Sequence, residues 1–165
     1  MKEAIRAGME PKPEPRSVKL PTAREIMATD LVVFGPDQPL GMVIRTLLGR
    51  RISGAPVVGG HGELLGVISE ADCLRALASG AYEAEPFESG RRVGDLMSRE
   101  PVTIDPSLDI YAIAQTFLNH SLRRLPVVEQ GKVVGQVSRR DILRAIDDLY
   151  GHLETTGESG RPATE

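Results

Sequence analysis

The chain of 165 residues has a formal charge of −3, with hydrophobic residues at 41%, charged residues at 26% and aromatics at only 4%. That length suits one sizeable core, and the absence of a basic excess speaks against a general nucleic-acid binder while leaving small anionic ligands open through a local positive patch. A single cysteine, Cys73, excludes an intramolecular disulfide, and no apolar run reaches the roughly 18 residues of a membrane span, so a cytoplasmic protein without membrane contact is expected.

The polar, proline-containing stretch 1–19 predicts a flexible tail. A short helical turn is expected at Arg24–Met27, followed by a short strand at Val32–Phe34. Pro39 then starts an amphipathic helix whose stripe Leu40, Val43, Ile44, Leu47, Leu48 has the i, i+3, i+4, i+7, i+8 spacing of a core-facing surface. Two strands joined by a glycine-containing turn follow at Ala55–Val58 and Leu64–Ile68, and Glu70–Ala78 reads as a closing helix. Residues 80–90, with glycine at both ends and Pro86 inside, read as a linker.

The same order then returns. Met27 and Met97, Pro36 and Pro106, and Pro56 and Pro126 are each 70 residues apart, and the helical stripe recurs as Ile110, Ile113, Ala114, Phe117, Leu118. Past the PVV strand the offset becomes 69, as Ser69 with Ser138 and Asp72 with Asp141 show. The lost residue falls in the turn, where a deletion leaves both strands in register. The second copy therefore predicts a turn at Gly94–Met97, a strand at Val102–Ile104, a helix begun by Ser107 or Asp109, strands at Leu125–Val128 and Val133–Val137, and a helix at Arg139–Leu149. Residues 151–165 read as a second flexible tail. Each copy alone buries too little apolar surface, so two βαββα units (20–79 and 91–150) packed with pseudo-twofold symmetry are expected, an α/β (α+β) fold.

The leading hxxhM turn, the PVV strand and the runs GVISEAD (Gly66–Asp72) and GQVSRRD (Gly135–Asp141) resemble the CBS-domain pair, or Bateman module, over both copies. The resemblance implies a stand-alone regulatory pair that binds an adenosyl small molecule such as AMP, ADP, ATP or S-adenosylmethionine. It also implies a face-to-face homodimer and an effector protein that receives the signal.

A Ser-x-x-Asp run entering a helix suits such a ligand. The helix N-terminus favours an anion, and a carboxylate can accept both hydroxyls of a ribose. The family pattern implies two crossed sites. The first, preferred here, combines Val67, Ser69 and Asp72 with Val102 and with Leu122, Arg123, Arg124, Leu125, Pro126, where Arg124 stands as the family's phosphate-binding arginine would. The second combines Ser138 and Asp141 with Val32 and with Ile52, Ser53, Gly54, Ala55, Pro56. It has Gly54 in place of the arginine and Gln136 in place of Val67, with Arg139 and Arg140 as substitute charges.

Simpler readings stand beside these. Ser-x-x-Asp is also a capping box, and Arg123 with Arg124 could be a solvated face. His61, His120 and His152 share no metal or catalytic spacing, Cys73 reads as a small buried residue, and no phosphate loop or nucleophile elbow occurs. Three functional classes follow: an adenine-nucleotide sensor, an interaction and dimerisation module with empty clefts, or a shortened relative of an enzyme that carries this pair.

Overall fold

The computed structural model describes residues 18–79 and 90–157. The tail expected at 1–19 lies outside the described residues up to residue 17, the linker up to residue 89, and the second tail from residue 158 onward.

In the first repeat a one-turn helix α1 (Ala23–Ile26) is capped reciprocally by Thr22 and Glu25, whose carboxylate accepts the Thr22 N–H at 2.7 Å. Helix α2 (Leu40–Arg50) follows Pro39 and buries Leu40, Val43 and Leu47. Leu48, expected in the same stripe, is 73% exposed, and its counterpart Leu118 is 76% exposed. At 100° per residue the eighth position lies about 80° from the first. The hairpin beneath is only two strands wide and does not reach it. Strands β1 (Gly54–Val58) and β2 (Leu64–Ser69) pair antiparallel, and α3 (Glu70–Ala78) closes the unit.

The second repeat supplies α4 (Val93–Leu96), α5 (Ile110–His120), β3 (Arg124–Glu129), β4 (Lys132–Ser138) and α6 (Arg139–Gly157). Of the two caps foreseen for α5 the structure uses Asp109, whose Oδ1 accepts the Ala112 N–H at 2.9 Å. Ser107 instead closes a turn on Asp105. Gln130 and Gly131 between β3 and β4 have φ of 51° and 77°, the positive pair a two-residue type I′ turn requires. That tight turn is where the 69-residue offset arises.

Two expectations need correction. The strands foreseen at Val32–Phe34 and Val102–Ile104 are single parallel bridges, Phe34 to Val57 and Ile104 to Val127. Pro36 and Pro106, two residues on, have no N–H to continue a ladder. Helix α6 runs to Gly157, well past the expected end at Leu149. Gly151 costs only about 1 kcal/mol in a helix interior, and no proline intervenes to stop propagation.

The repeats are interlocked rather than merely stacked. Ala23 of the first leading turn is fully buried in the second repeat's core with Ile104, Ile113, Phe117, Leu125, Val127 and Val137. Val93 and Met97 of the second leading turn are buried in the first core with Phe34, Val43, Leu47, Val57 and Ile68. Backbone bonds hold both exchanges: Ala23 N–H to Leu108 O at 2.7 Å, Ile110 N–H to Pro21 O at 2.9 Å, Val93 N–H to Gln38 O at 2.9 Å and Gly94 N–H to Pro36 O at 2.8 Å. Each core is thus completed by a segment of the other repeat, a contribution of about 1.5–3 kcal/mol for a fully buried valine such as Val93.

Candidate functional site

The ends of the two hairpins meet. Glu63 and Lys132 form an antiparallel bridge, with Leu64 N–H to Gly131 O and Val133 N–H to Gly62 O both at 3.1 Å. Beside this seam Thr29, Leu31, Val33, Val58, Gly62, Val133 and Val134 line an open cleft of about 260 Å³. Its walls come from both repeats.

Both Ser-x-x-Asp runs form capping boxes. In the first repeat the Ser69 N–H and hydroxyl donate to Asp72 Oδ2 at 2.8 and 2.9 Å, and the Asp72 N–H donates to Ser69 Oγ at 3.4 Å. In the second, Ser138 and Asp141 make the same three contacts at 2.7, 2.8 and 3.2 Å. The capping reading therefore holds at both, and each box fixes its carboxylate at a helix N-terminus with one oxygen, Oδ1, turned away from the cap.

The leading turn of the other repeat lies over each box. Val67 exchanges backbone bonds with Ser98 (3.0 and 2.8 Å), and Gln136 exchanges them with Ala28 (3.0 and 2.9 Å). The glycine of each run explains how the turn comes so near. A Cβ on Gly66 would lie 2.6 Å from Ser98 O and 2.9 Å from Met97 Sδ, and one on Gly135 would collide with Met27 and lie 3.0 Å from Ala28 O. The methionine of each hxxhM turn thus sits on the glycine of the opposite repeat.

The remaining sequence candidates fall into two groups. Ala55, Pro56, Leu125 and Pro126 are buried, and Val32 and Ile52 pack on the first core while Val102 and Leu122 pack on the second. The carbonyls of Pro56 and Pro126 accept the N–H of Phe34 and Ile104, and that of Ser53 accepts the N–H of Glu70. Arg123 is exposed and its carbonyl accepts the Arg139 N–H at 3.4 Å. The ladder sets Gly54 across from Ser69 and Arg124 across from Ser138. Arg124 is therefore a near neighbour of the Ser–Asp box in its own repeat. No hydrogen bond or ion pair among the described residues joins it to Ser69 or Asp72. Where the two boxes do cross between repeats is at the exchanged turns.

Sequence reasoning missed Ser98 and Arg75. The Ser98 hydroxyl donates to Asp72 Oδ1 at 3.3 Å, and Arg75 Nη2 donates to the same oxygen. The signal for Ser98 was its place directly after Met97, where the first repeat has Ala28 after Met27. Among the described residues no group of three or more His, Cys, Asp or Glu is arranged to hold a metal ion, and no helix is long and apolar enough to cross a membrane.

A duplicated helix–hairpin–helix unit with a Ser–Asp box at each closing helix and exchanged leading turns defines a tandem-repeat architecture of two interlocked α/β units. The model of the CBS domain matches residues 23–79 and 93–148, and the chain belongs to that family. Protein MJ1225 of Methanocaldococcus jannaschii is 28% identical over 134 residues, which cover 80% of this chain and 46% of the relative, so the chain spans about half of that protein's length. Among solved structures, CBSX2 of Arabidopsis thaliana in complex with AMP is 28% identical and superposes with a TM-score of 0.68 over 79% of this chain and 98% of that one. The CBS pair of protein MJ0100, in complex with 5′-methylthioadenosine and S-adenosylmethionine, shares the fold at 21% identity, with a TM-score of 0.67 over 79% of this chain and 99% of that one.

Proposed function

We propose that the protein is a non-catalytic regulatory module of the cytoplasm that binds an adenine nucleotide (AMP, ADP or ATP) between its two CBS repeats and relays that occupancy to an effector protein. The observation that carries this reading is the pair of Ser–Asp boxes, each holding a carboxylate at a helix N-terminus beneath the other repeat's turn. A carboxylate there accepts ribose hydroxyls, and the helix N-terminus with Arg124 nearby favours phosphate. The AMP complex of CBSX2, a relative that this chain covers almost completely, supports the ligand class. Because the turns are exchanged, a ligand that prefers one spacing of turn and box shifts the arrangement of the repeats, which is how binding becomes a signal.

Thermal unfolding in the presence of AMP, ADP, ATP or S-adenosylmethionine tests it. A ligand at about 100 times its Kd stabilises by roughly 2.7 kcal/mol, so a clear rise in Tm is expected for an adenine nucleotide. A flat response across the panel at millimolar concentration would refute it.

Homodimerisation is part of the same proposal. Leu48, Leu74, Leu77, Tyr111, Leu118 and Leu143 are all more than half exposed on α2, α3, α5 and α6. Two of these pairs, Leu48 with Leu118 and Leu74 with Leu143, occupy matching positions of the two repeats. Apolar exposure on all four helices suits a second copy packed face to face. Light scattering is expected to give twice the chain mass, and a monomer at micromolar concentration would contradict it.

A further inference from the structure

The two repeats make the same backbone bond where the closing helix begins, Glu70 N–H to Ser53 O at 2.9 Å and Arg139 N–H to Arg123 O at 3.4 Å, but they carry different charge there. The first repeat presents Ser53, Gly54, Glu70 and Ala71. The matching positions of the second are Arg123, Arg124, Arg139 and Arg140. The ladder sets Arg124 across from Ser138, so all four gather around the first turn of α6. Arg144, with a side chain 70% exposed, adds a fifth guanidinium one turn along the helix.

The fold does not ask for these charges. Arg139, Arg140 and Arg144 crowd the positive end of the α6 dipole, where cations are disfavoured, and Arg140 and Arg144 stand four residues apart on one face as like charges. Asp141 pairs with Arg144 at 3.5 Å. Among the described residues no hydrogen bond or ion pair engages the guanidinium of Arg123, Arg139 or Arg140, and all three residues are exposed. The first repeat closes in the same way with none of these cations and with Glu70 where the dipole favours an acid. Cations kept where they weaken the helix point to an anion that meets them from outside.

We propose that Arg123, Arg139 and Arg140 form a docking surface for an acidic segment, rich in Asp and Glu, of a partner protein. The inference rests on the effector reading above and gives that effector its chemistry. A guanidinium pairs with a carboxylate through two parallel N–H donors, and three of them on one rim match a short run of acidic side chains. A nucleic acid fits less well. Residues 121–149, which build the surface, contain no aromatic side chain on which a base could stack. The exposed Asp147 and Asp148 follow Arg144 within about 6 Å along the helix axis and close the basic stretch to a long polyanion. Arg124, half-buried beside Ser138, stays with the phosphate of the nucleotide reading.

The test is fluorescence anisotropy of a fluorescein-labelled octaglutamate peptide titrated with the full chain. Saturable binding is expected, weakening as salt rises from about 50 to about 300 mM. Installing the first repeat's residues, Arg123→Ser with Arg139→Glu and Arg140→Ala, is expected to weaken binding roughly tenfold or more, the scale of one charge-assisted hydrogen bond, while Tm stays at or above that of wild type. Arg50→Glu with Arg51→Glu changes two exposed arginines of the first repeat and alters net charge by the same amount. That variant is expected to keep affinity within about twofold of wild type, because distant exposed charges are screened. Equal weakening by both variants, no saturable binding by wild type, or a lowered Tm in the triple variant overturns the docking surface. So does tighter binding of octathymidylate than of octaglutamate, which makes the partner a nucleic acid. Displacement of octaglutamate in strict proportion to added AMP returns the arginines to the nucleotide site and likewise overturns the proposal. A chain that binds octaglutamate but no AMP keeps the docking surface and loses the nucleotide reading. One that binds AMP but no octaglutamate does the reverse.

Discussion

Replacing Gly66 by alanine adds a single methyl group at the point where the exchanged turn crosses β2. The new Cβ would lie 2.6 Å from Ser98 O, 2.9 Å from Met97 Sδ and 3.1 Å from Met97 Cγ. Carbon–oxygen approaches of about 3.3 Å are the ordinary lower limit, so the α4 turn must retreat by roughly 0.7 Å. Met97 can shift its side chain, but Ser98 O is backbone and is held by the Val67 N–H at 3.0 Å. Overpacking of this kind costs about 1–3 kcal/mol, and loosening the two Val67–Ser98 backbone bonds adds about 1 kcal/mol. A total of about 2–4 kcal/mol lowers Tm by roughly 5–15 °C for a chain of this size. Gly49 is the control. It lies in α2 with nothing within 4 Å of a Cβ, so alanine there is expected to stabilise by up to about 1 kcal/mol. Differential scanning calorimetry of both variants decides. A Gly66→Ala protein within about 0.5 kcal/mol of wild type would refute the interlocked packing.

Two further predictions concern protonation and reactivity. Cys73 is buried beside Asp72, and burial, reinforced by that carboxylate, pushes its thiol above the ordinary range. A thiol-reactive probe at pH 8 is expected to label native protein far more slowly than unfolded protein, and equal rates would contradict the packing of α3. Three surface carboxylates sit below their ordinary range: Glu25 through the Thr22 N–H and hydroxyl, Glu63 through its own and the His61 N–H, and Asp105 through the Ser107 hydroxyl and N–H. Their contribution to stability is therefore complete above the ordinary carboxylate pKa and is lost as pH falls through the lowered folded values. Glu25→Gln with Asp105→Asn is expected to flatten the decline of Tm in acid, and an unchanged acid slope would show that these caps carry none of it.

Periodicity and duplication made most of the fold legible. Glu70–Ala78 and both hairpins follow from apolar spacing and turn chemistry, because those signals act within a few residues. The exchange of leading turns was not legible. Ala23 and Val93 show only that each turn needs a buried partner, and a repeat supplies two equivalent cores to choose between. The exchange is decided by backbone bonds such as Gly94 N–H to Pro36 O, which no side-chain pattern encodes. The candidate site was legible to the same degree. Ser69, Asp72, Ser138 and Asp141 stood out because the run is local and repeated. Ser98 did not, since its meaning depends on the turn crossing to the other repeat.

Equilibrium dialysis of labelled AMP against the wild-type chain tests the central claim most directly. The account predicts saturable retention of AMP that is displaced by excess unlabelled AMP. Retention no higher than in buffer at millimolar AMP would contradict it and leave the apolar helix faces, rather than the boxes, as the functional surface.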